Sequence, residues 1–438
     1  MLGCGIFLLW LLVLGIFFQA SVHALAETRR TALVTALIGR NSDALSTATI
    51  LSTLETVGSL ESVNLDDELS LIMSEEKVTT NNQTIWNWPW HMGTGSNASY
   101  YNELYTPYLI TSVLKQRDAI DRANRTALIS LVMERYNETQ GAFHELAYMD
   151  AFDGKEYTDC FLPLDGDARS HLWLHGGYGT PNVISTFLAV SILDNIQALD
   201  QINTTKTLQW ILECEAQNGA FRPFPWPGDS LYYRNKGFWV DDQYGTGIVY
   251  TYSALSSLII LNASISNVVN IGRIREYVTS CNVTHGSRGI RFAPYYSEHK
   301  HDSGFCNTYY AVTILHNMGV LENETEIVSG VITYIKSAQD LHCTEAWPMP
   351  TRNNEGYGLF CYSWRPYTEN LYVAEILKET NNTHLLDEAT PIVRPARRNL
   401  IVMTSAASLG TLMLISLTAK TCNSVRAWKR NRKDSRST

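Results

Sequence analysis

Charge is scarce in this chain. Asp, Glu, Lys and Arg make up 18% of its 438 residues, against 45% hydrophobic residues, which excludes a disordered protein and leaves enough apolar matter for a large core. A basic surplus is also lacking, with 34 Lys and Arg against 43 Asp and Glu and a net charge of -9. The tail 420–438 holds seven Lys/Arg and one Asp, and Arg394, Arg397 and Arg398 add three more positive charges. Removing that +9 leaves the stretch 27–393 at -18, too acidic for a nucleic-acid groove. No C-x-x-C pair occurs, so a zinc ribbon is excluded. Strand signals are few throughout.

Two stretches carry no charge at all, 1–26 and 399–419. The first contains the short apolar run Ile6–Phe18, followed by Val22-His23-Ala24 or Ala24-Leu25-Ala26 as a cleavage site. It has the layout of a signal peptide over 1–26, and its lack of an early Lys or Arg keeps an uncleaved anchor open. The second, Asn399–Ala419, is roughly 32 Å long as a helix and is flanked by basic residues, denser on its C-terminal side. These features predict a transmembrane helix over 399–419, a cytoplasmic tail over 420–438 and a single-pass type I topology with the body outside or lumenal. Nine N-x-S/T sequons support that topology: Asn82, Asn97, Asn124, Asn137, Asn203, Asn262, Asn282, Asn323 and Asn381 all lie between the two uncharged stretches. So do six cysteines, Cys160, Cys214, Cys281, Cys306, Cys343 and Cys361, an even number suited to disulfides in an oxidising compartment.

Self-similarity organises the body. The pattern T-aromatic-x-A-x-x-x-L runs from Thr251-Tyr252 to Leu258, from Thr308-Tyr309 to Leu315 and from Thr186-Phe187 to Leu193. Leu371-Tyr372 to Leu377 is a weaker copy, and Thr47 to Leu54 and Pro107-Tyr108 to Leu114 fit more loosely. Between the copies lie amphipathic segments at 65–76, 125–136, 205–216, 271–281 and 325–338, with a sixth at 28–38 ahead of the first copy. Several end in a glycine-aromatic turn (Gly141-Ala142-Phe143, Gly219-Ala220-Phe221, Gly289-Ile290-Arg291-Phe292), where glycine suits a left-handed helix stop. Six helices of each kind can form an open solenoid or a closed double ring. The count and the small-residue signature favour closure, so the expected fold is all-α, an (α/α)6 toroid of six inner and six outer helices over 27–390.

The turn Gln217-Asn218-Gly219-Ala220-Phe221, followed by a T-Y-x-A-x-x-x-L helix, resembles the repeat of protein prenyltransferase β subunits and squalene/terpenoid cyclases. The resemblance is clearest over residues ~180–380 and implies an α/α toroid with a central cavity. The chemistry of that family is not matched. Prenyltransferases bind zinc through Asp, Cys and His; here Cys306 holds the cysteine position, while Gly304 and Asn370 stand at the other two. Cyclases use D-x-D-D or D-D-x-x-D, and neither Asp165-Gly166-Asp167 nor Trp239-Val240-Asp241-Asp242 fits. The G-C-G-E-Q thioester of complement-like toroids is missing. The expectation is therefore no metal and no cofactor, with Cys306 disulfide-bonded.

Aromatic residues with sparse carboxylates crowd the loops ahead of the first-type helices, and such a mixture suits stacked sugars or apolar ligands. Trp239, Tyr244, Tyr296, Trp364, Tyr367 and His175 are candidate ligand-binding residues, and Asp241, Asp242 and Asp302 candidate acids or bases. Three functions remain open. One is a membrane-anchored extracytoplasmic toroid that binds an isoprenoid or lipid without zinc-dependent transfer. Another is an extracytoplasmic glycan-active hydrolase or lyase built on the same barrel. The third is a non-enzymatic surface interaction module.

Overall fold

The structure, a computed structural model, describes residues 28–38, 43–78, 84–86, 104–144, 148–149, 156–157, 181–225, 247–284, 286–293, 305–344 and 366–389. The signal, transmembrane and tail segments expected from the sequence lie outside these residues. No described helix is long and apolar enough to cross a membrane.

Among the described residues twelve helices of nine residues or more alternate in kind. We number them α1 Arg29–Leu37, α2 Ala44–Thr56, α3 Leu65–Ser74, α4 Tyr105–Gln116, α5 Arg125–Met133, α6 Val183–Asn195, α7 Thr204–Glu213, α8 Ile248–Ile260, α9 Ile271–Ser280, α10 Phe305–Asn317, α11 Thr325–Thr344 and α12 Pro366–Glu379. The even-numbered helices pack side by side, each on the next, and α12 packs on α2. The ring is therefore closed, and Thr47, Pro107, Thr186, Thr251, Thr308 and Leu371 all fall on its inner helices. Composition explains which helices go inside. α6 buries ten of its 13 residues and is apolar all round, whereas α7 buries only Thr207, Trp210 and Ile211 along one stripe. The alanines of the repeat, Ala189, Ala254 and Ala311, are fully buried and let neighbouring inner helices approach closely.

The repeat pattern has a separate structural use at each position. Its leucine accepts the hydrogen bond that ends the helix: Leu54, Leu114, Leu193, Leu258, Leu315 and Leu377 each receive the backbone N–H five residues on, at 2.7–3.0 Å. The intervening residue (Gly58, Asp118, Gln197, Asn262, Gly319 or Asn381) is left-handed in every copy. This is a Schellman stop repeated six times.

The repeat threonine faces the other way along the chain. Thr186 Oγ1 accepts the backbone N–H of Phe143 at 3.1 Å, Thr251 that of Phe221 at 3.1 Å, and Thr308 that of Phe292 at 3.2 Å. The carbonyls of Phe143 and Phe221 in turn accept the N–H of Asn182 and Gly247, at the start of α6 and α8. Each phenylalanine is fully buried. The turn aromatic is thus latched to the next inner helix by its own backbone, and its ring fills the gap between layers.

Two expectations need correction. Short antiparallel hairpins follow the outer helices: β1 (Glu76–Val78) with β2 (Thr84–Trp86), β3 (Tyr136–Asn137) with β4 (Ala142–Phe143), β5 (Tyr148–Met149) with β6 (Glu156–Tyr157), and β7 (Asn282–Thr284) with β8 (Ile290–Phe292). Strands of two or three residues are too short to leave an alternating pattern in the sequence. Gly141 and Gly289 therefore sit in hairpin turns rather than at helix stops, although their φ values of +75° and +98° are left-handed as expected. A methyl group on Gly289 would lie 2.2 Å from the carbonyl oxygen of Gly330 in α11, so the turn also requires glycine for close approach.

The ring closes through a different kind of contact. Thr28 pairs with Ala389 as an isolated bridge, and Arg29 N–H donates to Glu388 O at 2.9 Å. Arg29, almost fully buried, donates to Gln339 Oε1 at 3.0 Å, and Gln339 returns a bond to Arg29 O at 3.2 Å. Arg30–Asp387 and Lys336–Glu388, both at 2.8 Å, lie outside that buried pair.

Candidate functional site

The second position of the repeat, the aromatic one, points to the axis of the ring. Tyr108 of α4 meets Phe187 of α6 at 5.4 Å between ring centres, and Phe187 meets Tyr252 of α8 at 5.4 Å. Tyr252 stacks on Tyr310 of α10 at 4.6 Å and lies 5.7 Å from Tyr309. Tyr309 in turn stacks on Tyr372 of α12 at 5.1 Å. Five successive inner helices so contribute to one aromatic girdle, which Tyr105 joins through Tyr108. Hydroxyl pairs tie it together, Tyr252 with Tyr309 and Tyr310 with Tyr372, each at 3.4 Å.

The girdle is deep but not sealed. Burial, the main cause, pushes the Tyr108 phenol up to about 12, with Glu375 adding to the rise. The phenols of Tyr252, Tyr309, Tyr310 and Tyr372 are held well above their ordinary value, again chiefly by burial. All five stay protonated and act as neutral donors at any physiological pH. Phe187 and Tyr252 are closed off from the surface, whereas Tyr105, Tyr108, Tyr309, Tyr310 and Tyr372 are half-buried. Tyr108, Tyr309, Tyr310 and Tyr372 thus combine strong desolvation of the phenol with residual accessible surface.

Below the girdle, towards the C-terminal ends of the inner helices, the lining turns polar. Thr313 donates to both carboxylate oxygens of Glu379, at 2.9 and 2.7 Å, and Thr56 donates to Glu375 Oε1 at 2.6 Å. Asn195 Nδ2 donates to Thr111 and Ser112 at 3.2 and 3.1 Å. Burial raises the Glu379 carboxyl to about 7, against the lowering effect of the Thr313 bonds and with Glu375 adding to the rise. A carboxyl poised near neutral pH, on one helix with a second carboxylate and beside an aromatic girdle, can give or take a proton.

The side chains of the residues selected from the sequence are not among those the structure describes. Asp241, Asp242, Asp302, Trp239, Tyr244, Tyr296, Trp364 and His175 lie outside the described residues, and Tyr367 is described only as backbone in the first turn of α12. The girdle and the Glu375/Glu379 pair were not singled out, although the aromatic half of the girdle is written into the repeat itself.

The zinc site expected of the resembled family does not fit this donor set. Cys306, in the first turn of α10, hydrogen-bonds Tyr310, and Asn370 is buried at the histidine position. Among the described residues no three His, Cys, Asp or Glu side chains converge. Cys214 corrects the expectation of pairing for that residue. It is a buried thiol that donates to Trp210 O at 3.4 Å, and burial holds it well above the ordinary thiol range.

The family model described as the prenyltransferase alpha-alpha toroid domain matches residues 51–234 and 229–344. Among solved structures, Candida albicans protein geranylgeranyltransferase-I complexed with GGPP is 14% identical over 67% of this chain and 75% of that one, with a TM-score of 0.45. No curated protein gives a significant match to the sequence.

Proposed function

Because the chain belongs to the prenyltransferase alpha-alpha toroid family, we propose that its ring receives an isoprenoid or similar apolar ligand against the tyrosine girdle, without zinc-dependent prenyl transfer. The observation that carries this reading is the half-buried state of Tyr105, Tyr108, Tyr309, Tyr310 and Tyr372 deep inside the ring. Aromatic faces give an apolar chain a large contact area, and the phenol hydroxyls give a polar end group a few fixed donors. Glu379, partly protonated near pH 7, adds a proton donor at the polar end of the same lumen. Gly304 has no side-chain donor and Asn370 offers a neutral amide, so a thiolate activated by zinc is not part of the proposal. The uncharged segments 1–26 and 399–419 and the nine sequons support an extracytoplasmic ring held by one C-terminal transmembrane helix.

Thermal unfolding in the presence of farnesyl or geranylgeranyl compounds tests the proposal. A ligand at 100 times its Kd should stabilise the ring by about 2.7 kcal/mol, and Tyr309→Ala should abolish the shift. Stabilisation by oligosaccharides and not by isoprenoids would move the protein to the glycan-active class. No shift with either would favour the interaction module.

A further inference from the structure

We infer that the face on which the inner helices end carries a collar of N-linked glycans at Asn124, Asn203, Asn262, Asn323 and Asn381, and that the collar closes this face to macromolecular partners. The inference rests on the extracytoplasmic reading above and deepens it. Sequence spacing alone shows nine scattered sequons. The structure sorts them, because five lie in the short segments that follow inner helices: 117–124 after α4, 196–203 after α6, 261–270 after α8, 318–324 after α10 and 380–389 after α12. Five consecutive repeats thus carry one sequon each on the same face of the ring.

All five asparagines are exposed. Asn262 and Asn381 are themselves the left-handed stops of α8 and α12, with φ of 59° and 56°, so they stand at the tips of tight turns. Asn124 and Asn203 are the N-caps of α5 and α7, and their Oδ1 atoms accept from Ala127 N at 3.1 Å and Lys206 N at 3.0 Å. The cap uses Oδ1 alone and leaves Nδ2, the atom that takes the sugar. In that transfer Nδ2 displaces a polyprenyl diphosphate from C1 of a lipid-linked oligosaccharide; the N–C1 bond forms, the C1–O bond breaks and one amide proton leaves. Asn137 and Asn282, by contrast, lie in the hairpins that follow outer helices and are half-buried. Ile259, one of two large apolar residues exposed among the described ones, sits three residues before Asn262, where a bulky hydrophilic glycan would cover it.

The test uses the full chain made in a glycosylating eukaryotic host. Thr126→Ala, Thr205→Ala, Ser264→Ala, Thr325→Ala and Thr383→Ala each disable one sequon while keeping its asparagine, so the caps and left-handed stops survive. Each should lower the apparent mass by one glycan, and the fivefold variant by five. Shielding is read with Ile259→Cys and a polyethylene-glycol maleimide, which should react at least tenfold faster after the glycans are trimmed. No glycan on any of the nine sequons would sink the extracytoplasmic reading itself. Glycans at Asn82 or Asn97 with these five bare would sink the collar alone. Equal labelling before and after trimming would overturn the closed face.

Discussion

The ring is held together in two ways that differ in chemistry. Between α5 and α10 successive repeats are latched by buried phenylalanines whose backbone N–H groups end on Thr186, Thr251 and Thr308. At the seam, where α11 and the segment after α12 meet α1, the corresponding work falls to Arg29, Gln339, Lys336 and Glu388. The inner helix nearest the seam differs too. Counted back from the leucine that closes each helix, α12 carries the carboxylate Glu375 where α6, α8 and α10 carry the hydroxyls Ser191, Ser256 and Thr313. A latch built from burial and a neutral hydrogen bond is insensitive to salt and pH; a seam built from charge is sensitive to both. The lesson is that a closed repeat ring can concentrate its responsiveness in one joint, the one that has no predecessor in the chain.

The largest expected effect tests the latch. Phe221→Ala removes a fully buried ring between α7 and α8 and leaves a cavity behind. The cost should be about 3–5 kcal/mol by chemical denaturation, and it should not change with salt. A cost below ~1 kcal/mol would mean that the phenylalanine is a filler and the latch lies elsewhere.

Next in size is the pH response of the seam-side helix. The Glu379 carboxyl is raised from its ordinary 4.5 to about 7, so the folded protein keeps a proton that the unfolded chain has already lost. Stability is then full below pH 4.5, falls as pH rises from 4.5 to 7, and levels off above 7. The total loss is about 1–3 kcal/mol once partial solvent access is allowed for. Glu379→Gln keeps an acceptor for Thr313 and cannot ionise. Its stability relative to the parent should therefore climb between pH 5 and pH 8, and parallel profiles over that range would refute the assignment.

Thr251→Val probes the latch more finely. The substitution keeps the shape but leaves the Phe221 N–H without its 3.1 Å acceptor in a buried position. About 1–3 kcal/mol should be lost. Hydrogen exchange at the Phe221 amide is the direct readout, and it should speed up by more than the global destabilisation explains.

These contrasts also mark what the sequence could disclose. The repeat positions were legible because each does one job in several copies: threonine latches, alanine allows close packing and leucine closes the helix. The aromatic position was read as part of a helix signature and not as a lumen. Single rings some 60 residues apart become neighbours only once the ring closes, so no local run of sequence displays them together. Glu375 and Glu379 were missed for a related reason: a carboxylate four residues from another on a helix ordinarily marks a solvated face. Nothing in local sequence joins Arg29 to Gln339, 310 residues apart, so the seam was invisible. The six Schellman stops were equally hidden, because only Gly58 and Gly319 among them are glycine.

The smallest expected effect separates the buried part of the seam from its exposed part. Lys336 Nζ lies 2.8 Å from Glu388 Oε1, with both side chains substantially exposed. Glu388 also stands 3.9 Å from Arg29, so removing Lys336 leaves it with a second cation and with water. An exposed pair of this kind contributes ~0.2–1 kcal/mol, and salt screens it over about 8 Å at physiological ionic strength. Lys336→Met should therefore cost less than Thr251→Val in dilute buffer and nothing measurable in half-molar salt, while the Phe221→Ala deficit stays constant across the same series. If Lys336→Met instead cost as much as losing the latch hydrogen bond, and kept that cost in high salt, the exposed and buried seam contacts would have to act as one network. The ring would then close by cooperation among its charges rather than through the buried Arg29–Gln339 pair.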